Sequence, residues 1–292
     1  MDGAYKYLPA GLESRLRRLA IKVRLPVEGG LQGVHRSPHH GSSVEFADYR
    51  EYTHGDSPAL IDWAVYARTD RYVIRRYQEE TNLRGYLLLD TSESMAFRLL
   101  GPGTKLDYAA TLAASIMYLL ASQGDAAGLT LFNEAVVKQI PPSRTLEGLR
   151  PMLLALEEIQ PRGRTGLAAA LHQLAEEVRS RSLVVVISDL LQDPAEILRG
   201  LQHLRHNGHE LCVLHVLDAA ELDPGFENLV ELRELETGAR LVIQADEIRE
   251  AYRQEVLKYL DELRRGCADC LAQYRLLDTR TPVEEALHAL WH

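Results

Sequence analysis

The sequence predicts an α/β fold: a doubly wound, mostly parallel sheet with helices on both faces, preceded by an irregular, partly β N-terminal extension. From residue 83 onward, apolar runs of strand length alternate with longer segments of helical period, a pattern typical of βαβ units. The runs are apolar at consecutive positions, as expected for strands that are covered on both faces. Residues 1–82 lack the alternation, so we predict an extension over 1–82 that packs on a main domain at 83–292.

Strands are predicted where short apolar runs end in turn residues. The first central strand is expected at 84–90 (RGYLLLD) and a second buried strand at 182–190 (SLVVVISDL). Runs at 126–132 and 135–140 lie two residues apart and predict a hairpin that ends in an edge strand. We expect further strands at 210–216, near 229–235, at 239–243 and at 274–279.

Helices are predicted between these strands. The Ala- and Leu-rich segment 105–124 has helical composition and stops at Gly124. The segments TLEGLRPMLLALEEI and GLAAALHQLAEEVRS predict two more helices, with Thr165 at the start of the second. Other helices are expected near 10–24, at 194–207, from about 246 to 265 and in the final VEEALHALW.

Composition indicates a soluble globular protein, with 46% apolar and 26% charged residues in 292. No run approaches the 18 apolar residues of a membrane helix, and the N-terminus lacks the apolar core of a signal peptide. The three cysteines (Cys212, Cys267 and Cys270) include one C-x-x-C pair, which lies late in a helical stretch and favours a structural role over zinc or redox chemistry. We therefore expect a cytoplasmic protein.

Charge argues against nucleic acid as a partner. The net charge is −9, and residues 1–89 carry 13 Lys and Arg against 11 Asp and Glu. Residues 90–292 carry 20 against 31. Nucleic-acid affinity comes mainly from clustered basic residues, and the main domain is acidic.

Oxygen-bearing side chains recur at every second position directly after the first central strand. The strand ends in Asp90, and hydroxyls recur at Ser92 and Ser94 in the sequence DTSES. Three such side chains in a tight loop can converge on one point, which suits a hard cation. The same residue types also serve as ordinary turn and helix-cap residues, so the pattern alone leaves both interpretations open.

Two further residues strengthen the metal hypothesis. Asp189 follows the second buried strand. Thr165 lies in the loop between the two helices that precede this strand. Sites in open α/β sheets form beyond the carboxyl ends of the strands, where the strand order reverses. Five oxygen donors without His or Cys favour Mg²⁺, Mn²⁺ or Ca²⁺ over zinc or copper.

These residues resemble a von Willebrand factor A domain with its metal-ion-dependent adhesion site. DTSES matches the Asp-x-Ser-x-Ser element, GRTGL the threonine and ISDL the second aspartate. The resemblance implies that Ser92, Ser94 and, in some states, Thr165 touch the metal, while Asp90 and Asp189 hold it through water. It also implies a non-enzymatic role in adhesion, with a carboxylate of a partner protein completing the coordination.

A longer motif precedes the site and narrows the family. The pattern G-x-H-x-S-x-x-x-G-x-S-x-E-F-x-D-x-R-x-Y-x-x-G-D spans Gly33 to Asp56, and IDW follows at 61–63. It is similar to the bacterial domain of unknown function 58 family. Members often occur beside MoxR-type AAA+ ATPases, which implies an adaptor or co-chaperone for such an ATPase or its client. The run SPAL after Asp56 departs from the family pattern, and the two N-terminal membrane helices of many members are not found.

Two other interpretations stay open. A bound Mg²⁺ or Mn²⁺ can activate water, so the alternative function is a metal-dependent hydrolase or phosphatase that uses the same site. Against it, phosphatases with D-x-D after a strand need a second Asp where this chain has Ser92. Acidic and basic residues of the Gly33–Arg68 region could form a second centre, but we expect buried Asp–Arg pairs that hold this irregular segment to the sheet. Neither Walker nor dinucleotide-binding glycine motifs occur in the sequence.

Overall fold

The computed structural model describes residues 5–16, 44–53, 56–58, 61–79, 83–222, 229–233 and 240–291. The chain divides into two compact units, one made of Met1–Leu25 with Leu83–His292 and the other of Pro26–Asn82. Within the described ranges, no helix combines the length and apolar character needed to cross a membrane.

Strands alternate with helices along most of the described chain. The strands are β1 (Val44–Glu51), β2 (Val73–Glu79), β3 (Arg84–Asp90), β4 (Ala126–Phe132), β5 (Val136–Ser143), β6 (Leu183–Ser188), β7 (Glu210–Leu217), β8 (Leu229–Arg233), β9 (Arg240–Gln244) and β10 (Gln273–Asp278). The helices are α1 (Ala10–Leu16), α2 (Trp63–Thr69), α3 (Lys105–Ser122), α4 (Arg150–Glu157), α5 (Leu167–Glu177), α6 (Pro194–His206), α7 (Ala219–Leu222), α8 (Ala245–Asp269) and α9 (Val283–Trp291).

The smaller unit contains an antiparallel pair, β1 with β2, and helix α2. The side chain of Asp62 caps α2 by accepting two backbone N–H groups of its first turn. Arg50 forms two hydrogen bonds of 2.7 and 2.6 Å with the carboxylate of Asp56. This Asp–Arg pair lies within the smaller unit, and the Arg50 side chain is 39% exposed. The side chains of Glu45 and Asp48 lie outside the described ones.

The main unit is built on a six-stranded sheet in the order β10-β7-β6-β3-β4-β5. Strand β5 runs antiparallel to β4, and all other neighbours are parallel. A separate antiparallel hairpin joins β8 and β9. The predicted fold class is therefore confirmed, and so is the predicted hairpin of β4 and β5, with β5 as an edge strand.

Helices cover both faces of the six-stranded sheet. Apolar residues of α1, α3, α4 and α9 pack on one face, and those of α5, α6 and α8 pack on the other. Consecutive residues of β3 point to opposite faces, so Leu87 and Leu89 join the first layer and Leu88 joins the second. All three are fully buried, which explains why the strand is apolar throughout.

Helix α3 is the most deeply buried helix of the first layer: all of its residues except Asp107, Thr111 and Ser122 are buried. Small Ala side chains along most of its length allow it to lie close to the sheet. It begins with a capping box in which the side chains of Thr104 and Asp107 pair with each other's backbone N–H groups. It ends before Gly124, whose φ of +83° continues the chain in the left-handed region.

Strand β5 extends further than the sequence predicts. Strand β5 continues through Pro141 and Pro142 to Ser143, because an edge strand tolerates residues that lack a backbone N–H. The helix predicted near 10–24 is helical over Ala10–Leu16, and the rest of that prediction lies outside the described residues.

The strand order reverses between β3 and β6. From β3 the chain moves to β4 on one side and then returns to β6 on the other. The helices that follow β3 and β6 therefore leave on opposite faces, and a crevice opens between the carboxyl ends of these two strands.

Candidate metal site

Four of the five predicted site residues meet through hydrogen bonds at the carboxyl ends of β3 and β6. We call the side chains of Asp90, Ser92, Ser94, Thr165 and Asp189 the rim. Asp90 is the last residue of β3, and Asp189 directly follows β6. The two strands are parallel neighbours, so their carboxyl ends lie side by side.

Asp90 is the centre of the rim. Its Oδ2 accepts hydrogen bonds from the Thr165 hydroxyl at 2.8 Å and the Ser188 hydroxyl at 2.6 Å. Its Oδ1 accepts the backbone N–H of Ser92 at 2.9 Å. The carboxylate thus ties together β3, β6 and the loop before α5.

The two serines of the motif lie next to each other. Their Oγ atoms are 3.1 Å apart, and both residues are buried. Ser92 has an extended backbone and precedes a 3-10 turn over Glu93–Ala96. This turn brings Ser94 back beside Ser92, so the two hydroxyls lie close together as the spacing predicts.

Backbone contacts bring the Thr165 loop to the rim. The N–H of Glu93 donates to the carbonyl of Gly163 at 2.9 Å, and the N–H of Arg162 donates to the carbonyl of Thr91 at 3.0 Å. Gly163 has a φ of +72°, which favours glycine. At Gly166 a Cβ would lie 2.5 Å from the carbonyl oxygen of Glu134, so the loop requires glycine there.

Asp189 is oriented by a lysine that the sequence analysis did not identify. The Nζ of Lys105, the first residue of α3, lies 2.7 Å from Oδ2 of Asp189 and 2.7 Å from Oε1 of Glu221. The side chains of Lys105 and Asp189 are completely buried. No hydrogen bond joins the Asp189 carboxylate to the four other rim side chains among the described contacts.

Burial and like charge shape the protonation of the rim. Burial, together with the negative charge of Asp189, raises the pKa of Asp90 to about 6. Burial also raises the pKa of Glu221 above its ordinary value. Although burial acts to lower the pKa of Lys105, the charges of Asp189 and Glu221 raise it. Lys105 is therefore a cation held by two carboxylates, while Asp90 forms no ion pair with a described Lys, Arg or His.

The buried ring of His215 contacts the backbone of Asp189. Its Nε2 lies 2.8 Å from the backbone carbonyl of Asp189, and its Nδ1 lies 2.7 Å from the hydroxyl of Tyr274. Burial lowers the pKa of His215 to about 4. The ring is therefore neutral, with Nε2–H donating to the carbonyl and Nδ1 accepting from Tyr274.

The donor set fits a hard divalent cation. The rim offers two carboxylates and three hydroxyls, which are the ligand types of Mg²⁺ and its relatives. When all groups are ionised, Asp90, Asp189 and Glu221 outweigh Lys105 by two negative charges in a buried region. A dication would balance that charge. Within the described part of the chain, neither the rim nor any other region has a cluster of three or more His, Cys, Asp or Glu residues that could hold a metal ion, so the three hydroxyls are an essential part of this donor set.

A cleft of about 760 Å³ opens beside the rim, between the loop after β6 and helix α8. Tyr259 of α8 closes one wall and donates to the backbone carbonyls of Leu190 and Gln192, the latter at 2.9 Å. Leu190 itself has a φ of +55°. The cleft is lined by Ser94, Phe97, Lys105, Leu191, Gln192, Asp193, His215, Leu217, Glu221, Tyr252, Glu255, Val256, Tyr259 and Leu260.

Sequence reasoning missed Lys105, Ser188 and Glu221. The first residue of a helix is usually solvated, so a lysine there gives no sign of burial. Ser188 lies inside the ISDL motif and could have been noted as a hydroxyl next to Asp189. Glu221 has no sequence signal, because only the packing of α7 brings it to Lys105.

The three cysteines are free and buried. Burial raises the pKa of the Cys212 and Cys267 thiols to about 12. Both groups are therefore protonated at neutral pH, in agreement with the structural role predicted for them.

Comparison with known proteins identifies relatives over most of the chain. A family model described as "Protein of unknown function DUF58" matches residues 48–260. "Uncharacterized protein Rv1480" of Mycobacterium tuberculosis (strain ATCC 25618 / H37Rv) is 30% identical over 234 residues, or 78% of this chain and 72% of the relative. "Uncharacterized protein Mb1516" of Mycobacterium bovis matches with the same identity and coverage.

Similar solved structures are more distant in sequence. BatB from Bacteroides thetaiotaomicron has a TM-score of 0.48 and 17% identity, covering 71% of this chain and 96% of that chain. An aerotolerance-related membrane protein from Bacteroides fragilis has a TM-score of 0.46 and 21% identity, with the same coverage. The SpRpn10 VWA domain has a TM-score of 0.42 and 13% identity, covering 71% and 94%.

The family match begins at residue 48, inside the motif that predicts the family and before the rim residues. It continues through Asp90, Thr165 and Asp189 to helix α8. The family predicted from the sequence is thereby confirmed: this chain belongs to the DUF58 family.

Proposed function

We propose that the protein is a metal-dependent protein-interaction module that captures a carboxylate of a partner through Mg²⁺, Mn²⁺ or Ca²⁺ bound at the rim. Ser92, Ser94 and, in some states, Thr165 would hold the cation directly, and Asp90 and Asp189 would hold it through water. One observation carries the proposal: the Thr165 hydroxyl lies 2.8 Å from Asp90, 75 positions away in the chain. Thr165, which the sequence suggests for cation binding, thus lies within hydrogen-bond distance of Asp90, and this supports the proposal.

The ligand chemistry favours an anionic partner. Hydroxyl ligands carry no charge, so a dication that they hold directly keeps a strong attraction for anions. A carboxylate group of another protein is the anion most available for this purpose. The cation supplies the bridge, while Asp90 and Asp189 anchor it from the protein side.

The surface around the rim suits contact with another protein. Leu99, Leu100 and Leu191 are each about half exposed. The N–H groups of Leu99 and Leu100 donate to the Asp218 carboxylate at 3.1 Å, and Asp218 directly follows the carboxyl end of β7. Leu191 lies two residues after Asp189. Apolar side chains at the same sheet edge would add contact area around a bridging carboxylate.

We further propose that the partner is a MoxR-type AAA+ ATPase or its client, and that the protein acts in the cytoplasm as an adaptor or co-chaperone. The support is the family resemblance. Movement of Thr165 into or out of the coordination shell would couple cation binding to a change in the loop before α5. Any ATP hydrolysis would then belong to the partner.

Isothermal titration of the protein with MgCl₂ tests the proposal. The wild type should bind one equivalent, and Asp90→Asn should abolish binding, because the central carboxylate of the rim loses its charge. Asp125→Asn is the matched control: this partly buried Asp accepts the N–H of Leu83 at 3.1 Å at the opposite edge of the sheet. Equal binding by the wild type and Asp90→Asn would show that the rim is not the cation site.

Affinity capture then tests the partner. The wild type and Asp90→Asn are used as baits in Mg²⁺ and in EDTA. The proposal requires a AAA+ ATPase, or a protein bound to one, that is retained only by the wild type in Mg²⁺. Retention that ignores both the substitution and EDTA contradicts capture through the metal.

A further inference from the structure

Lys105 occupies an unusual position for a lysine. It is the first residue of α3, fixed in place by the capping box of Thr104 and Asp107. Its side chain has no exposed surface and ends between the carboxylates of Asp189 and Glu221, with both N–O distances at 2.7 Å. An ammonium can only donate hydrogen bonds, so Lys105 cannot be a metal ligand.

Lys105 occupies one oxygen of the Asp189 carboxylate, the group that would hold the metal through water. Oδ2 of Asp189 accepts a hydrogen bond from the ammonium at 2.7 Å. From the residues that the structure describes, Oδ1 accepts only a long contact of 3.4 Å, from the N–H of Leu191. A dication that uses Asp189 must share this carboxylate with the ammonium or replace it. Two cations a few ångströms apart in a buried region repel each other strongly.

The cleft beside the rim gives the ammonium a place to go. Lys105 and Glu221 both line this cleft, and Glu221 is the less buried of the two carboxylates. The ring of Phe97 lies 5.7 Å from Nζ and can stabilise a cation. Lys105 can therefore leave Asp189 while it keeps Glu221 as its partner.

We propose that Lys105 is a built-in competitor of the divalent cation: its ammonium holds Asp189 in the metal-free protein and sets how tightly the rim binds metal. This inference rests on the proposed function, because it assumes that the rim binds a cation. It adds a residue that sets affinity and remains outside the coordination shell. The rim would load only at cation concentrations high enough to displace the ammonium.

Lys105→Met tests the inference, since methionine keeps much of the length and removes the charge. Titration with MgCl₂ should show binding at least about tenfold tighter than in the wild type, as expected when a positive charge beside a dication is removed. Lys258→Met is the control for net charge, because Lys258 is an exposed residue of α8. The affinity of Lys258→Met for Mg²⁺ should stay within about twofold of that of the wild type.

A double variant guards against poor folding. Lys105→Met leaves the carboxylates of Asp189 and Glu221 without a cation to balance them, which destabilises a fold. Lys105→Met with Glu221→Gln removes one positive and one negative charge, so the net charge near the rim is unchanged. Tighter Mg²⁺ binding by this variant, with a native circular dichroism spectrum, would separate competition for Asp189 from a general change of charge.

The outcomes distinguish this inference from the proposed function. Binding of Mg²⁺ by the wild type and not by Asp90→Asn would show that the rim is a metal site. If both Lys105 variants then bind Mg²⁺ no tighter than the wild type, Lys105 is not a competitor of the cation. Weaker binding by both Lys105 variants overturns the inference as well, because Lys105 would then position Asp189 for the metal. Absence of binding in every variant overturns both proposals.

Discussion

The hydroxyl of Ser188 lies 2.6 Å from Oδ2 of Asp90, so the last side chain of β6 holds the last side chain of β3. Ser188 also accepts the backbone N–H of Leu190 at 2.9 Å. It therefore connects the carboxylate at the centre of the rim to the loop that carries Asp189. This contact joins the carboxyl ends of two neighbouring parallel strands, next to the crevice in which a cation would lie under the proposed function.

Ser188→Ala should weaken both stability and metal binding. The hydroxyl of Ser188 lowers the pKa of Asp90, so its removal should raise that pKa further and leave less carboxylate at neutral pH. We expect a loss of about 1–2 kcal/mol in the free energy of unfolding, as for a buried hydrogen bond. Urea unfolding and Mg²⁺ titration measure the two effects.

Ser115→Ala is the control for that substitution. Ser115 is buried in α3 and donates only within its own helix, to the carbonyl of Thr111 at 2.7 Å, among the described contacts. It should leave Mg²⁺ binding unchanged. If both variants bind Mg²⁺ like the wild type, Ser188 does not support the site.

Metal affinity should depend on pH around 6. The pKa of Asp90 is raised from its ordinary 3.8 to about 6, so below pH 6 a cation must displace a proton. Mg²⁺ affinity should fall by about tenfold per pH unit below 6 and level off above it. Titrations at a series of pH values from 5 to 8 test this, and a flat profile would contradict it.

The free energy of unfolding of the metal-free protein should fall as pH rises from about 4 to 6, whereas Mg²⁺ affinity rises over that range. Between about pH 4 and pH 6 the folded protein holds the proton of Asp90, while the unfolded chain has lost it. The favourable contribution of this group is complete below the unfolded pKa and is lost as pH rises through about 6. In EDTA, Asp90→Asn should remove this part of the pH dependence of unfolding.

Gly166→Ala should disrupt the Thr165 loop. A Cβ at this position would meet the backbone oxygens of Glu134 and Asn133 at 2.5 and 2.9 Å. Because these are backbone atoms, the loop itself must shift, at a cost of about 1–3 kcal/mol. Thermal unfolding should reveal the loss, and Mg²⁺ binding should weaken with it.

Gly11→Ala is the matched control, since a Cβ there has no described atom within 4 Å. This residue lies in helix α1, where alanine is favoured over glycine. The melting temperature of Gly11→Ala should equal or exceed that of the wild type. Equal melting temperatures for both variants would mean that the loop is not held as tightly as its contacts indicate.

Phosphatase and esterase substrates should show no turnover with the protein and Mn²⁺. The motif has Ser92 where a phosphatase would have its second Asp, and Glu93, the acid beside it, is exposed. Release of p-nitrophenol from its phosphate and acetate esters is the measurement. Turnover that disappears in Ser92→Ala would establish the hydrolase alternative in place of an interaction module.

The sequence was informative where local chemistry and burial coincide. Strands β3 and β6 are covered on both faces, so their apolar runs are continuous, and their ends are marked by Asp90 and Ser188-Asp189. Because the two strands are parallel, these carboxyl ends lie on the same side of the sheet. Thr165 is predicted because GRTGL resembles the threonine element of the adhesion site, in a loop before a helix.

What the sequence could not predict depends on contacts between distant segments. Lys105 is polar and begins a helix, so only the packed structure shows that it is buried between Asp189 and Glu221. Strand β5 continues through two prolines because it lies at an edge, a position that local propensity does not reveal. Such features follow from the arrangement of the elements and have no signature within one segment.

Main-chain atoms hold the Thr165 loop at the rim, through the N–H of Arg162 and the carbonyl of Gly163. Exchanging the exposed side chains of Arg162 and Arg164 leaves these contacts in place. The surface on either side of Thr165 can therefore diverge while the rim beneath it persists. Substitution of these two arginines would change the charge of the exposed loop surface without removing the backbone hydrogen bonds that hold Thr165 beside Asp90.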